Sequence, residues 1–306
     1  MDEGYNNMSN KVWFHADDYG VTQQQSSVIL ECYEKGALNS ISVLPNTSNV
    51  NDALLLLNEI DTDKKIRRVL HLNFVEGKPL SEIEKIPMLV DEQGFFDKSF
   101  INFVKWNYLK KSTNRIRLKE QIKAEIRAQL DAVTCNCNFE ITAIDSHQHY
   151  HMVPIIFDSL MEVLSEKKYE KLDIRQIRIP VDPIYPVMHN FSMLKRIPAI
   201  NLVKWLILKI YAKRNKNILK KMGIEVPVFF GIFYTCEMKV EVVSELLHLY
   251  KAYASKKNAD LELMFHPGNL SAKHELLDTR RDELADFYMS DNRVYEAECL
   301  KILAKS

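Results

Sequence analysis

The sequence predicts an α/β protein built on parallel strands, and three observations carry that prediction. Short apolar runs recur along the chain, each followed by polar residues and a stretch of helical spacing, with no hairpin signal between runs. The polar residues with chemistry to offer, Asp17 and Asp18, His71 and Asn73, His147, Arg178 and His266, fall at or just after the ends of five such runs. Parallel sheets and barrels gather their sites at that end of their strands. Finally, 306 residues with 46% hydrophobic content suffice for one large barrel domain or two average domains. No repeat or low-complexity tract divides the chain, so residues 11–306 read as one domain behind a polar, disordered segment 1–10.

Taken in order, Lys11 to Ala16 reads as the first strand. Thr22 followed by Gln25 is a capping-box pattern that opens a helix running through Tyr33, and Gly36 stops it. Ile41 to Leu44 is a second strand ended by Pro45, Ala53 to Ile60 a helix, and Val69 to Phe74 a third strand broken by Gly77-Lys78-Pro79. Ile116 to Val133 carries the clearest amphipathic pattern. Ile141 to Ser146 is a strand, Pro154 opens another helix, and later strands are expected at Ile174 to Ile179, Val228 to Phe233 and Leu261 to Phe265.

Composition excludes some functions. Lys plus Arg equals Asp plus Glu at 41 each, giving zero formal charge, which argues against a general nucleic-acid binder. The five cysteines are odd in number and form no paired CxxC clusters, and Cys135-Asn136-Cys137 reads as incidental. With no signal-peptide pattern at Met1-Asp2-Glu3-Gly4, a reduced cytoplasmic setting is expected. No apolar run reaches the roughly 18 residues that a transmembrane helix needs.

The densest chemistry lies in Asp145-Ser146-His147-Gln148-His149-Tyr150-His151 and in His15-Ala16-Asp17-Asp18-Tyr19-Gly20. Three histidines at alternate positions put three imidazoles on one side of an extended segment. Two His and one Asp suffice for one divalent ion with open positions for water and substrate. Alone, Asp17-Asp18 would read as a helix cap, His71 as a core histidine and His266-Pro267-Gly268 as a turn. Their common position at strand ends is what joins them. Adjacent acids point in different directions, so one can bind metal while the other faces substrate.

These segments resemble the YdjC-like carbohydrate deacetylases, which include the chitooligosaccharide deacetylases. The resemblance runs from about Val12 to about Leu303 through four ordered motifs: His15 to Gly20, Leu70 to Leu80, Asp145 to His151 and Phe265 to Gly268. His15 and Tyr19 stand where that family usually has Asn and Phe. The resemblance implies a distorted TIM-like barrel, a metal held by Asp18, His71 and His147, and Asp17 as base. It points to magnesium, whereas the ligand types alone also suit zinc, iron, cobalt or manganese.

The reaction implied is hydrolysis of an N-acetyl group on an amino sugar or glycan, with Asp17 taking the water proton and His266 protonating the departing amine. His149 or His151 could serve as the acid instead. Asp145 is expected to orient a histidine, and Arg178 to bind a substrate anion, form an orienting salt bridge or lie on the surface. Competing readings are a metal-dependent phosphoesterase using Arg178 and lysines on phosphate, a catalytically dead glycan-binding protein, and an iron oxygenase, which would show β-sandwich patterning instead. Every charged side chain from 195 to 221 is a Lys or Arg, amid large apolar residues. That segment reads either as a barrel-covering helix with a solvated basic edge or as a peripheral contact with an anionic membrane. A homodimer is also expected.

Overall fold

The computed structural model describes residues 10–108, 113–136, 140–269 and 275–305. The segment expected to be disordered therefore lies, but for Asn10, outside the described residues, as do Cys137 and the side chain of Cys135. Seven strands form one parallel sheet: β1 (Val12–Tyr19), β2 (Ser40–Val43), β3 (Arg67–Leu72), β4 (Ala143–Ser146), β5 (Gln176–Ile177), β6 (Val228–Phe230) and β7 (Leu261–Phe265). Their spatial order is β5-β4-β3-β2-β1-β7-β6. The two edges meet through one parallel bridge, Gln176 to Glu225, where Ile177 N donates to Glu225 O at 3.2 Å and Glu225 N to Arg175 O at 2.9 Å. The result is a distorted TIM-like barrel whose β5–β6 seam is closed only at its base.

Helices α1 (Gln23–Glu34), α2 (Val50–Ile60), α3 (Phe100–Asn107), α4 (Thr113–Asp131) and α5 (Pro154–Leu164) follow the first strands. After β5 come the short α6 (Ile184–Met188) and α7 (Phe191–Leu194), then α8 (Ala199–Lys221). The chain ends in α9 (Val240–Lys257), α10 (Asp282–Tyr288) and α11 (Asp291–Leu303). At α1 the Thr22 hydroxyl accepts from Gln25 N at 3.1 Å, while the Gln25 side chain donates to Asp18 O and leaves the box half-made. On α4 the i, i+4 row Leu118, Ile122, Ile126 and Leu130 is buried. Beside that row, Glu125 accepts from Leu80 N and Ser81 N, and Gln129 bonds both the N–H and C=O of Asn73. This helix thus clamps the loop that follows β3.

The barrel interior is polar at its centre. Arg67 Nη1 donates to Glu262 Oε2 at 2.7 Å and its Nη2 to Gln176 Oε1 at 2.7 Å. Arg178 Nε donates to Glu262 Oε1 at 2.5 Å. All three charges are buried, and Arg67 and Arg178 together hold the Glu262 carboxyl below its usual range against the opposing effect of burial. An unpaired buried charge costs several kcal/mol, so this cluster is stable only when complete. Glu262→Gln is expected to lower unfolding free energy by about 3–5 kcal/mol in denaturant titration; a loss under about 1 kcal/mol would show that the two arginines find other partners.

Candidate active site

The floor of the site is made by β1. Its pairing with β2 slips register between Ala16 and Tyr19, and Asp18 sits at φ +64°. Such a bulge re-aims side chains at a strand end, and Asp tolerates the left-handed region better than most residues. Both Asp17 and Asp18 consequently line one cavity of about 480 Å³ at the C-terminal end of the barrel. Adjacent residues of a regular strand would have pointed to opposite faces.

Asp18 Oδ1 lies 3.0 Å from His147 Nδ1 and 3.5 Å from His71 Nε2. The three atoms belong to a group whose donor atoms lie within 4.8 Å of one another. Asp18 Oδ1 is buried with no well-aligned hydrogen bond, its neighbours being the two imidazole nitrogens, an arrangement that a cation shared among the three would satisfy. Burial alone would neutralise these groups, but the opposite charges prevail. His71 is pushed up to about 10, chiefly by Asp145 and Asp17 against burial, and His147 to about 9 by Asp18 and Glu76. Asp18 is held well below the carboxylate range, burial again being outweighed by the histidines. The donor set fits a divalent ion: one hard oxygen and two imidazoles, convergent, with the rest of the cavity open to water and substrate.

Each imidazole is aimed by a carboxylate behind it. His71 Nδ1 lies 2.7 Å from Asp145 Oδ1, which also accepts from the Ser42 hydroxyl. His147 Nε2 lies 3.1 Å from Glu76 Oε1. Glu76 in turn accepts from Tyr288 at 2.5 Å and Thr279 at 2.6 Å, and the Tyr288 ring stacks on His147 with planes 7° apart. Carboxylates behind metal-binding histidines fix ring orientation and raise basicity.

A second group, His15, Asp17 and Asp145, also brings ligand atoms together, but it already holds a cation. Arg178 grips Asp17 with two hydrogen bonds of 2.9 and 2.8 Å and approaches Asp145 Oδ2 at 2.8 Å. Arg178 is buried, so it is neither a surface residue nor open to a substrate anion; it is a salt-bridging residue. His15 Nδ1 pairs with Ser40 Oγ at 2.7 Å, and its Nε2 lies 3.0 Å from Asp17 Oδ1.

The histidine triplet does not run extended. Residues 147–152 form a tight turn, with Gln148 at φ +48° and His149 at φ +60°, so the three imidazoles part company. His147 joins Asp18 and His71. His149 lines the cavity, with burial and Arg178 holding it well below the ordinary histidine range. His151 faces away, between Ser146 Oγ at 2.6 Å and Arg178 O at 2.8 Å, and burial keeps it down at about 4. Both its nitrogens are engaged, which removes it as a proton donor to substrate. Asn73 also lies outside this cavity, where it ties the loop through Asn46 and the backbone of Val75 and Glu76. His266 lines the cavity with Nε2 3.8 Å from Asp17 Oδ2, and its backbone N–H donates to Glu296.

Several contributors carry no sequence signal. Arg293 of α11 lies 3.5 Å from Asp18 Oδ2. A Cβ at Gly268 would stand 2.8 Å from Arg293 Nε, so the glycine after His266-Pro267 is what admits that guanidinium. Tyr288 and Glu296 arrive from α10 and α11, remote in sequence from everything they touch. Glu76 lies inside the Leu70 to Leu80 motif, but no role for it was read from the sequence.

The sequence profile described as YdjC-like protein matches residues 11–301. The chain belongs to the YdjC-like family. A carbohydrate deacetylase of Thermoanaerobacter pseudethanolicus is 32% identical over 149 residues, 49% of this chain and 54% of that protein, so the chain spans about half the length of that relative. A chitooligosaccharide deacetylase of Serratia marcescens is 25% identical over 264 residues, covering 84% of this chain and 81% of that protein. Among solved structures, a candidate cellobiose-phosphate cleavage protein of Enterococcus faecalis V583 superposes with a TM-score of 0.62 at 18% identity, over 96% of this chain and 91% of that one. That likeness shows the fold.

Two expectations follow from this YdjC-like site. Glu76→Gln should weaken divalent-metal affinity about 10–100-fold in titration calorimetry; unchanged affinity would remove Glu76 from the support of His147. Protons on His71 and His147 would compete with a metal held there, and their folded-state values lie above the ordinary 6.5. Metal-free stability from these two groups is therefore fully present below about pH 6.5 and lost as pH rises through about 9 to 10. Metal affinity should climb over the same interval, with proton release on binding; a flat profile would contradict the two raised values.

Proposed function

We propose that this YdjC-like protein is a metal-dependent deacetylase acting on an N-acetylated amino sugar or glycan. The observation that carries the reading is the convergence of Asp18, His71 and His147 beside a separately tethered Asp17 on one cavity floor. The names borne by the Thermoanaerobacter and Serratia relatives supply the substrate class.

A divalent ion held by those three side chains would supply the acidified water and polarised acetamide carbonyl that amide hydrolysis needs. The donor set suits zinc, cobalt, manganese or iron; the family resemblance points to magnesium. Asp17 is the proton acceptor. Although burial opposes ionisation, Arg178 and His71 keep its carboxyl well below the usual range, so it is ionised at every working pH. Its two bonds to Arg178 also stop it from turning toward Asp18's ligand position. His266, whose Nε2 lies 3.8 Å from Asp17 Oδ2 in the same cavity, gives its proton to the departing sugar amine. His149 is the weaker choice because its low pKa leaves it neutral. Phe100, Ile207, Ile232 and Phe287 give the cavity apolar walls suited to an acetyl methyl and a sugar face.

A phosphoesterase reading that places Arg178 on phosphate is disfavoured because that guanidinium is committed to carboxylates, which leaves Lys204 and Arg281 as the cavity's cations. Among the described residues Cys32, Cys236 and Cys299 are free thiols. Among the described residues no helix is long and apolar enough to cross a membrane.

Asp17→Asn is expected to cut metal-stimulated acetate release from N-acetylglucosamine oligomers by about 10²–10⁴-fold while metal affinity stays within a few-fold. Retained turnover would exclude Asp17 as the proton acceptor.

A further inference from the structure

Helix α8 covers the open β5–β6 side of the barrel with one face only. Trp205, Leu208, Tyr211, Ala212 and Leu219 are buried on it, and Asn201, Asn215 and Trp205 bond the backbone at Phe233, Met152 and Asp182. Those contacts account for how the helix is held. The opposite face adds one ion pair, Arg214 Nη2 with Asp158 Oδ1 of α5, and otherwise has two distinct halves.

In the first half, Leu202, Val203, Leu206, Ile207 and Ile210 are all exposed, Val203 to 50%, Leu206 to 51% and Ile210 to 69%. At 100° per residue they lie side by side on the outward face. In the second half the outward positions are Lys213, Asn217, Lys220 and Lys221, together with Arg214, which is paired to Asp158. No acidic residue occurs from Pro183 to Ile224. A solvated basic edge explains the second half but not the first, because five adjacent exposed aliphatic side chains form a patch that soluble surfaces normally avoid.

We propose that this face of α8 seats the protein on an anionic lipid surface, and that the substrate is an N-acetylated amino sugar carried on a lipid. Apolar side chains entering the interface beside cations facing lipid headgroups is the pattern of an interfacial helix. Self-association fits worse. A two-fold pairing of α8 on α8 would either press lysines against lysines or bury them under the partner's aliphatic half, and neither offers a counter-charge. Position supplies the link to substrate. Lys204 and Ile207 of the same helix line the active-site cavity, so its mouth opens beside the proposed lipid contact. The substrate half of this inference rests on the deacetylase reading; the docking half does not.

The test is co-sedimentation of the intact protein with vesicles of phosphatidylcholine alone or mixed with phosphatidylglycerol, at low and moderate salt. The wild type and a Leu206→Glu/Ile210→Glu variant are compared, since neither of these residues lines the cavity. A Lys213→Glu/Lys220→Glu variant separates the charge contribution from any folding defect in the first. The wild type is expected to bind the mixed vesicles in preference to neutral ones, and each variant to bind about tenfold less or weaker still. Release of acetate from a water-soluble N-acetyl sugar should be unchanged in both variants, and release from vesicle-borne N-acetylglucosaminyl lipid should fall. Absence of wild-type binding at both salt concentrations would overturn the docking. So would a wild-type dimer in sedimentation velocity that the Leu206→Glu/Ile210→Glu variant dissolves. Vesicle binding without acetate from either sugar form would sink the deacetylase reading and leave the docking standing.

Discussion

Arg178 donates to carboxylates from three different strands, Asp17 of β1, Asp145 of β4 and Glu262 of β7, and the site depends on that one guanidinium. The three acids would otherwise repel each other in a buried space, and at least one would take up a proton. With Arg178 in place, Asp17 and Asp145 both lie well below the ordinary carboxylate range despite their burial. Asp145 can then accept from His71, and Asp17 is free to face the cavity. Only a planar fork with several donors can satisfy acids approaching from different directions, which a lysine could not do.

Around that centre the site divides its labour by geometry. The bulge in β1 puts two consecutive acids on one floor, yet they have separate fates: Asp18 turns toward His71 and His147, and Asp17 is tied to Arg178. The loop after β3 is held by Glu125 and Gln129 of α4, and it delivers Glu76 behind His147. Helices α10 and α11 then cap the assembly with Tyr288, Arg293 and Glu296. A change on any of these outer elements would reach the chemistry through the tilt of an imidazole and not through loss of a reacting group.

Much of this was legible in the sequence because strand ends are a topological address. The apolar runs before Asp17, His71, His147 and His266 placed those residues at one end of a parallel sheet, and the sheet did bring them to one cavity. The alternation rule failed where backbone φ turned positive, at Asp18, Gln148 and His149; periodicity presumes a regular strand that these residues do not have. It misled most over His151, which is spent on Ser146 and the Arg178 carbonyl. Arg67 stands beside Arg68, ahead of the strand expected from Val69, and Glu262 is a lone acid within Leu261 to Phe265, so neither was read as part of an interior salt-bridge cluster. Tyr288, Arg293 and Glu296 could not be read at all, since nothing local distinguishes a helix residue that meets the site from one that meets water.

The central claim is that one divalent ion sits among Asp18, His71 and His147 while Arg178 keeps Asp17 out of its coordination. Anomalous diffraction from crystals grown with manganese tests it directly. The account predicts a single anomalous peak about 2.0–2.3 Å from Asp18 Oδ1, His71 Nε2 and His147 Nδ1, with Asp17 still paired to Arg178. A peak bonded to Asp17, or one at the His15, Asp17 and Asp145 group, would contradict it.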